Sequence, residues 1–315
     1  RTVGELGFRP ELISIPYCIW PNYEVGRNPG SFPLVFLRRY CRFSPAAGSR
    51  KELLQLNERY DTFLVGSDQL WRPEIYGKNS DFYFLDFAQD DKRKISYATS
   101  LGEAEWQGTE EELWEKGRLL RRFDAVSVRE KAGAAYLNQQ FGVRAECCID
   151  PLFLGPLLQA FPAQTEPSGE TPYLLLHLVG RSDGRAGKRA LAAEAAGQLG
   201  LALHEIETGI RPEAYLTAMR GCRAVITDSF HAACLSLLYR KPFYLPIGDR
   251  HAKPRFNRLA ELFPVEARIC SGRPEVSRIV AQLKVPLDET AVQTVIDRES
   301  RHGRRWLQAA LSSPL

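Results

Sequence analysis

Four apolar stretches of this sequence run out into side chains that can hydrogen-bond or titrate. The clusters are Gly66-Ser67-Asp68-Gln69, Thr99-Ser100-Leu101-Gly102, Ser127-Val128-Arg129-Glu130 and Thr227-Asp228-Ser229-Phe230-His231. Short apolar runs of this kind read as buried strands, and parallel strands carry their functional loops at their carboxyl ends. The fourth cluster has the fullest chemistry. Residues 223–246 read as a strand (Arg223–Thr227), a polar turn, a helix with His231 near its start, and a second strand (Pro242–Leu245). A helix N-terminus offers unpaired N–H groups and the positive end of the dipole, so the expected ligand is an anion.

Each candidate has a plainer alternative beside it. Histidine is the side chain that changes charge nearest neutral pH, so His231 can donate to an anion or act as a general acid. The alternative is a helix-start histidine bonded to a backbone carbonyl. Arg129 ends an apolar strand, where a guanidinium can clamp an anion through two bonds. Otherwise it pairs with Glu130 at the surface or sits as a helix-terminal charge. Ser229 and Asp228 can bind the anion and orient His231, or Asp228 can cap the helix. Ser67 and Asp68 lie in a tight turn. Asp68 can serve as a base, or can hold the turn through backbone amides. Ser100 supports the same strand-end edge. Lys241 can reach an anion, or be a solvated lysine before Pro242.

The elements that must position these residues alternate between strand and helix. In the first half, strands are expected at Glu11–Ile15 and Tyr60–Val65, within KISYATSLG, in DAVSVRE, and at Arg144–Ile149, closed by Asp150-Pro151. Helical segments are expected near Leu34–Arg42, at Arg50–Glu58, at Glu103–Phe123 and up to Phe141. Residues 155–172 are rich in Pro, Ser and Thr and read as a linker. The second half has strands at Tyr173–Val179 and Leu201–Ile206 and an Ala-rich helix at Arg185–Leu199. Helices follow at Pro212–Arg220, Asn257–Phe263, Glu275–Leu283 and Asp288–Leu311. Two blocks of this rhythm predict an α/β chain of two Rossmann-like, doubly wound domains facing each other across a cleft. The expected division is 1–155, a linker at 156–172, 173–285, and a C-terminal helix or helices in 286–315 that can pack back on the first domain. The chain opens at Arg1 in what reads as the tail of a helix, so the first domain is expected to lack its first strand and loop.

Composition narrows the class. The 315 residues are 44% hydrophobic and 25% charged, with 42 basic against 38 acidic side chains and a net charge of +4. That surplus is too small and too dispersed to argue for nucleic acid. The seven cysteines (Cys18, Cys41, Cys147, Cys148, Cys222, Cys234 and Cys270) are odd in number and form no CxxC pair. They read as reduced core cysteines in a cytoplasmic protein, without a zinc site or disulfide framework. No apolar run approaches the roughly 20 residues that span a bilayer. Trp71 and the aromatics of Phe82–Phe87 could stack on a sugar ring but read as core or domain-interface residues, and the charged run Asp90–Lys94 reads as a solvated loop.

The motifs GSDQLW, FYFLDF, KISYATSLG, SVREKAG, Asp150-Pro151, TDSFHAACLSLLYRKPF and SRHGRRWLQAAL stand in an order that resembles the polysaccharide pyruvyl transferase family. The resemblance runs from about Tyr60 to the C-terminus. The family's Gly/Asn-rich opening loop has no counterpart, since the sequence starts after it. The resemblance implies a fold similar to the GT-B architecture of glycosyltransferases. It also implies a transferase that moves the pyruvyl group of phosphoenolpyruvate onto a sugar, closing a ketal and releasing phosphate. Phosphoenolpyruvate would be the donor, with no cofactor and no metal. The acceptor would be a sugar or glycan, lipid-linked in one version, met in the cytoplasm or at the inner membrane face. His231 and Asp68 would be catalytic. Arg129, Ser229, His231, Lys241, Arg255 and Arg258 would hold phosphoenolpyruvate, the last two because PRFNRL resembles the family's Asn-Arg element. Ser67, Ser100 and Asp228 would support them. Two rivals stand beside this reading: a nucleotide-sugar glycosyltransferase of the same architecture, and a non-catalytic glycan-binding relative.

Overall fold

The computed structural model describes residues 1–14, 32–72, 77–103, 105–155, 171–179, 184–206, 209–247 and 253–312. The expected linker and Cys18 fall almost wholly or wholly outside them. The chain divides into two units. The first is Arg1–Gly155 together with Glu299–Leu315, and the second is Pro156–Arg298.

In the first unit the order is α1 (Thr2–Glu5), β1 (Leu12–Ser14), α2 (Phe32–Tyr40), β2 (Phe43–Ala46), α3 (Arg50–Gln55), β3 (Thr62–Val65), β4 (Arg93–Thr99), α4 (Glu110–Leu120), β5 (Ala125–Val128), α5 (Lys131–Phe141) and β6 (Ala145–Cys147). Strands β3-β4-β5-β6 form one parallel sheet in sequential order, while β1 and β2 form a separate parallel pair. Strand β4 is buried along its whole length, as expected of a strand covered on both faces. This corrects the reading of Asp90–Lys94 as a solvated loop. Arg93 and Lys94 open the central strand and are 4% and 1% exposed. Burial lowers the Lys94 pKa, and its ammonium donates to the carbonyls of Gln89 and Lys92 at 2.6 and 2.7 Å.

Helix α4 starts later than the charge pattern suggests. Thr109 and Glu112 form a reciprocal capping box there, which fixes the first turn, and three glutamates in that turn match the helix dipole. The aromatics are core, as read. Trp71 and Phe84 are fully buried and stack at 5.3 Å, and Trp71 Nε1 donates to the carbonyl of Tyr83 at 2.8 Å.

The second unit runs β7 (Tyr173–His177), α6 (Arg185–Leu199), β8 (Ala202–Glu205), α7 (Pro212–Gly221), β9 (Ala224–Thr227), α8 (Phe230–Leu238), β10 (Phe243–Pro246), α9 (Lys253–Leu262), β11 (Ile269–Cys270), α10 (Val276–Lys284) and α11 (Glu289–Ser312). Its sheet is wholly parallel in the order β11-β10-β9-β7-β8. The chain winds outward from β7 to β8 on one side and from β9 to β11 on the other. The winding therefore reverses between β7 and β9, the topological switch point beyond which α/β sheets bind ligands.

Helix α11 is continuous, and the division between units falls within it. Its C-terminal half packs on the first unit. Gly303 lies so close to Tyr97 and Leu154 that a Cβ would collide with both. Arg304 donates to the carbonyl of Leu154 at 2.9 Å, and Arg93 to that of Ala310 at 3.1 Å.

Candidate functional site

The first unit brings Ser67, Asp68, Ser100 and Arg129 to one sheet edge because β3, β4 and β5 are parallel neighbours. Gly66, at φ +147°, passes so close to the Tyr97 carbonyl that no other residue fits. The β3 and β4 turns are stitched together. Ser100 N–H donates to the Asp68 carbonyl at 3.0 Å, and Trp71 N–H to the Ser100 carbonyl at 3.3 Å. The Ser100 hydroxyl donates to Glu130 Oε1 at 2.5 Å and accepts from Gly102 N–H at 3.1 Å. Ser100 and Glu130 are both buried. Asp68 is exposed, and its Oδ1 accepts from Gln69 N–H at 2.8 Å. Its carboxylate both holds the turn and faces solvent.

Arg129 is a correction to the sequence reading. It is 2% exposed, so it presents no open clamp. Its guanidinium lies 3.2 Å from Asp150, which is equally buried, and donates to the Ser67 carbonyl. Asp150 also accepts from Leu152 N–H at 2.9 Å. The pair therefore ties the β3 turn to the segment after β6. The predicted alternative of a surface pair with Glu130 does not describe it either, since both residues are buried.

In the second unit the switch point carries Thr227, Asp228, Ser229 and His231. Strand β7 ends at His177, in register with Thr227. The Thr227 hydroxyl donates to the His177 carbonyl at 2.5 Å and accepts from Ser229 N–H at 2.9 Å. The cap of α8 is Ser229, which accepts from Ala232 N–H at 3.3 Å. Asp228 is thereby released from capping. Its Oδ1 accepts from Val179 N–H and its Oδ2 meets Lys188 Nζ, each at 2.7 Å. His231 is the second residue of α8 and half-buried, with its ring 5.6 Å from that of Phe230. Arg255 of α9 lies over the same Phe230 ring at 5.9 Å, which brings it to the helix start. Arg258 pairs with Glu261 at 3.2 Å.

Lys241 is a second correction. Helix α8 runs back from the carboxyl edge of the sheet for nine residues, about 13 Å at 1.5 Å per residue. Lys241 therefore stands at the amino edge, where its charge acts on Cys222, the residue two before β9. It cannot share a site with the N-terminus of α8.

Glu130 and Asp150 are named from sequence only as members of motifs, and three residues of the second unit, His177, Lys188 and Tyr215, are not singled out at all. His177 Nδ1 lies 2.9 Å from the Tyr215 hydroxyl, and burial lowers the His177 pKa while raising that of Tyr215. The strand-end rule would have found His177, which closes the apolar run Tyr173–Leu176. Nothing local marks Lys188. Among the described residues no group of three or more His, Cys, Asp or Glu side chains is placed to hold a metal ion, and no helix is long and apolar enough to cross a membrane.

Comparison with known proteins gives a family and a fold. A family model described as polysaccharide pyruvyl transferase matches residues 2–248. No curated protein matches. The structure of UDP-GlcNAc 2-epimerase from Methanocaldococcus jannaschii is similar, with a TM-score of 0.52 and 10% identity over 83% of this chain and 87% of that one. The Arabidopsis thaliana enzyme UGT89C1, complexed with UDP-L-rhamnose, has a TM-score of 0.49 and 11% identity over 84% and 75%. At such identity the epimerase likeness speaks for fold alone: α/β, parallel-sheeted, with Rossmann-like units of the GT-B-like class.

Proposed function

The chain belongs to the polysaccharide pyruvyl transferase family, and from that premise we propose that it transfers the pyruvyl group of phosphoenolpyruvate to a sugar of a glycan or lipid-linked acceptor. The observation that carries the reading is the family match itself, because residues 2–248 include all four strand-end clusters. The donor is an activated enol phosphate, so the reaction needs no resident cofactor.

The chemistry balances as follows. A proton added to the methylene carbon of phosphoenolpyruvate leaves an oxocarbenium-like centre at the adjacent carbon. One sugar hydroxyl attacks that carbon and gives up its proton. A second hydroxyl displaces phosphate and closes the ketal. Of the two hydroxyl protons, one replaces that delivered to carbon and the other leaves with phosphate. The site must supply an acid, a base and stabilisation of the departing phosphate.

His231 is assigned the proton, supported by its place in the first turn of α8 at the switch point. The N–H groups of that turn and Arg255 are assigned the anionic groups of the donor, with Arg258 beside them on α9. Ser229 caps the helix that presents His231. Exposed Asp68 is the candidate base for an acceptor hydroxyl. Arg129 is assigned to the scaffold that holds Ser67 and Asp68, not to the donor.

The test incubates the protein with phosphoenolpyruvate and a panel of sugars and follows phosphate release together with a carboxyl-bearing product. A parallel arm supplies nucleotide sugars. Turnover with a nucleotide sugar and none with phosphoenolpyruvate would overturn the reading. Binding alone is checked by thermal stabilisation. A ligand at about 100 times its Kd adds about 2.7 kcal/mol. His231→Ala should lose much of that gain and Lys241→Ala should keep it.

A further inference from the structure

One residue, Asp228, separates the end of β9 from the cap of α8. Its carboxylate joins two other elements to that turn. One oxygen takes the Val179 N–H beyond β7, and the other takes Lys188 Nζ from the first turn of α6. The contact is enclosed: the Asp228 side chain is 9% exposed and that of Lys188 20%. Strands β7 and β9 are the pair between which the sheet reverses its winding. The three-way junction of β7, α6 and the β9–α8 turn therefore lies at the switch point.

We propose that Lys188 is a positioning residue for His231, acting through Asp228 and not on the substrate. The inference rests on the assignment of the donor proton to His231. Asp228 does not cap α8, since Ser229 does. Val179 N–H and Lys188 Nζ, which its carboxylate meets, both come from outside the turn. A carboxylate so enclosed needs its counter-charge. Loss of the ammonium removes the charge that Oδ2 faces, and a carboxylate that reorients in response disturbs the bond to Val179. His231 follows three residues later on the helix that this turn launches, so a shift at Asp228 is carried to the imidazole. A displacement of about 1 Å at a reacting group costs about 100-fold in rate.

Three variants separate this role from others. Lys188→Met strands the carboxylate. Lys188→Arg keeps charge and reach. Lys188→Met combined with Asp228→Asn removes the stranded charge, while the amide oxygen can still accept from Val179. Steady-state phosphate release from phosphoenolpyruvate is measured for each, with amide hydrogen exchange over residues 227–232. Lys188→Met is expected to lower kcat about tenfold or more, with KM for phosphoenolpyruvate changed less than about threefold. It should also speed exchange in the turn. Lys188→Arg should return kcat to within about threefold of the parent. The double variant should be faster than Lys188→Met alone.

Wild-type kcat and wild-type exchange in Lys188→Met would overturn the proposal. So would a double variant no faster than the single one. A raised KM at unchanged kcat would make Lys188 a substrate ligand, which also overturns it. If the parent protein releases no phosphate from phosphoenolpyruvate, the donor assignment fails on its own. The exchange measurement then still decides whether Lys188 holds the turn.

Discussion

Asp150→Asn removes the charge from the buried pair of the first unit while keeping the shape of the side chain. Arg129 and Asp150 are each 2% exposed and lie 3.2 Å apart. The asparagine oxygen can still accept from Leu152 N–H, so the turn that follows keeps its cap. What disappears is the negative charge beside a guanidinium that has left water. Removing one member of such a pair costs about 3–5 kcal/mol. In a unit of this size each kcal/mol lowers Tm by about 2–4 °C, so a fall of about 6–20 °C is expected. Calorimetry of the whole protein, with the unfolding of each unit followed by hydrogen exchange, locates the loss in the first unit. Combining Asp150→Asn with Arg129→Met should recover part of it, because neither buried charge is then left without its counter-charge. A loss below about 1 kcal/mol for Asp150→Asn would refute the buried-pair account. So would an Arg129→Met protein that melts like the parent yet gains no stability from phosphoenolpyruvate. That outcome would return Arg129 to the open clamp suggested by its strand-end position.

Two further expectations follow from single contacts. Gly66→Ala places a methyl group against the Tyr97 backbone oxygen at a positive φ, and should cost about 3 kcal/mol or more, read by urea unfolding. His177 gives the second unit a pH dependence. Burial sets its folded pKa below its unfolded one, so as pH falls through about 6.5 the unfolded chain takes up the proton first and stability declines. Urea unfolding at pH 7.5 and 5.5 should show the loss, and His177→Gln should flatten it. A second-unit stability that rises on acidification would contradict the assignment.

Much of the architecture was legible because strand and helix periods differ and polar side chains cluster where parallel strands end. Thr227–His231 reads in sequence as a strand end opening into a helix, and the strand order places it at the switch point. What could not be read was the direction and company of side chains. Arg129 looks open in sequence because Glu130 follows it, but its carboxylate partner comes twenty-one residues later, at Asp150. Lys241 looks close to His231 because they are ten residues apart, but a helix of nine residues separates the two edges of the sheet. Arg93 and Lys94 look solvated because charge dominates the run, but Arg93 donates to the carbonyl of Ala310 in α11 and Lys94 to those of Gln89 and Lys92 just before β4. Lys188 gave no local sign, because its partner lies forty residues away. Hydrophobic periodicity records burial, and it carries no record of which buried charge finds which other.

Helix α11 sets an order of events during synthesis. The strands β3 to β6 leave the ribosome early, but the helical turns that cover Tyr97 and receive Arg93 are contributed by residues 299–312, at the other end of the second unit. The second unit can therefore close its sheet while the first still waits for its last piece. Domains commonly fold as units in N-to-C order as they emerge, but here that order is reversed. A chain that ends at Arg298, where the second unit is complete, and is released from the ribosome should carry a protease-resistant second unit and a first unit still open to cleavage.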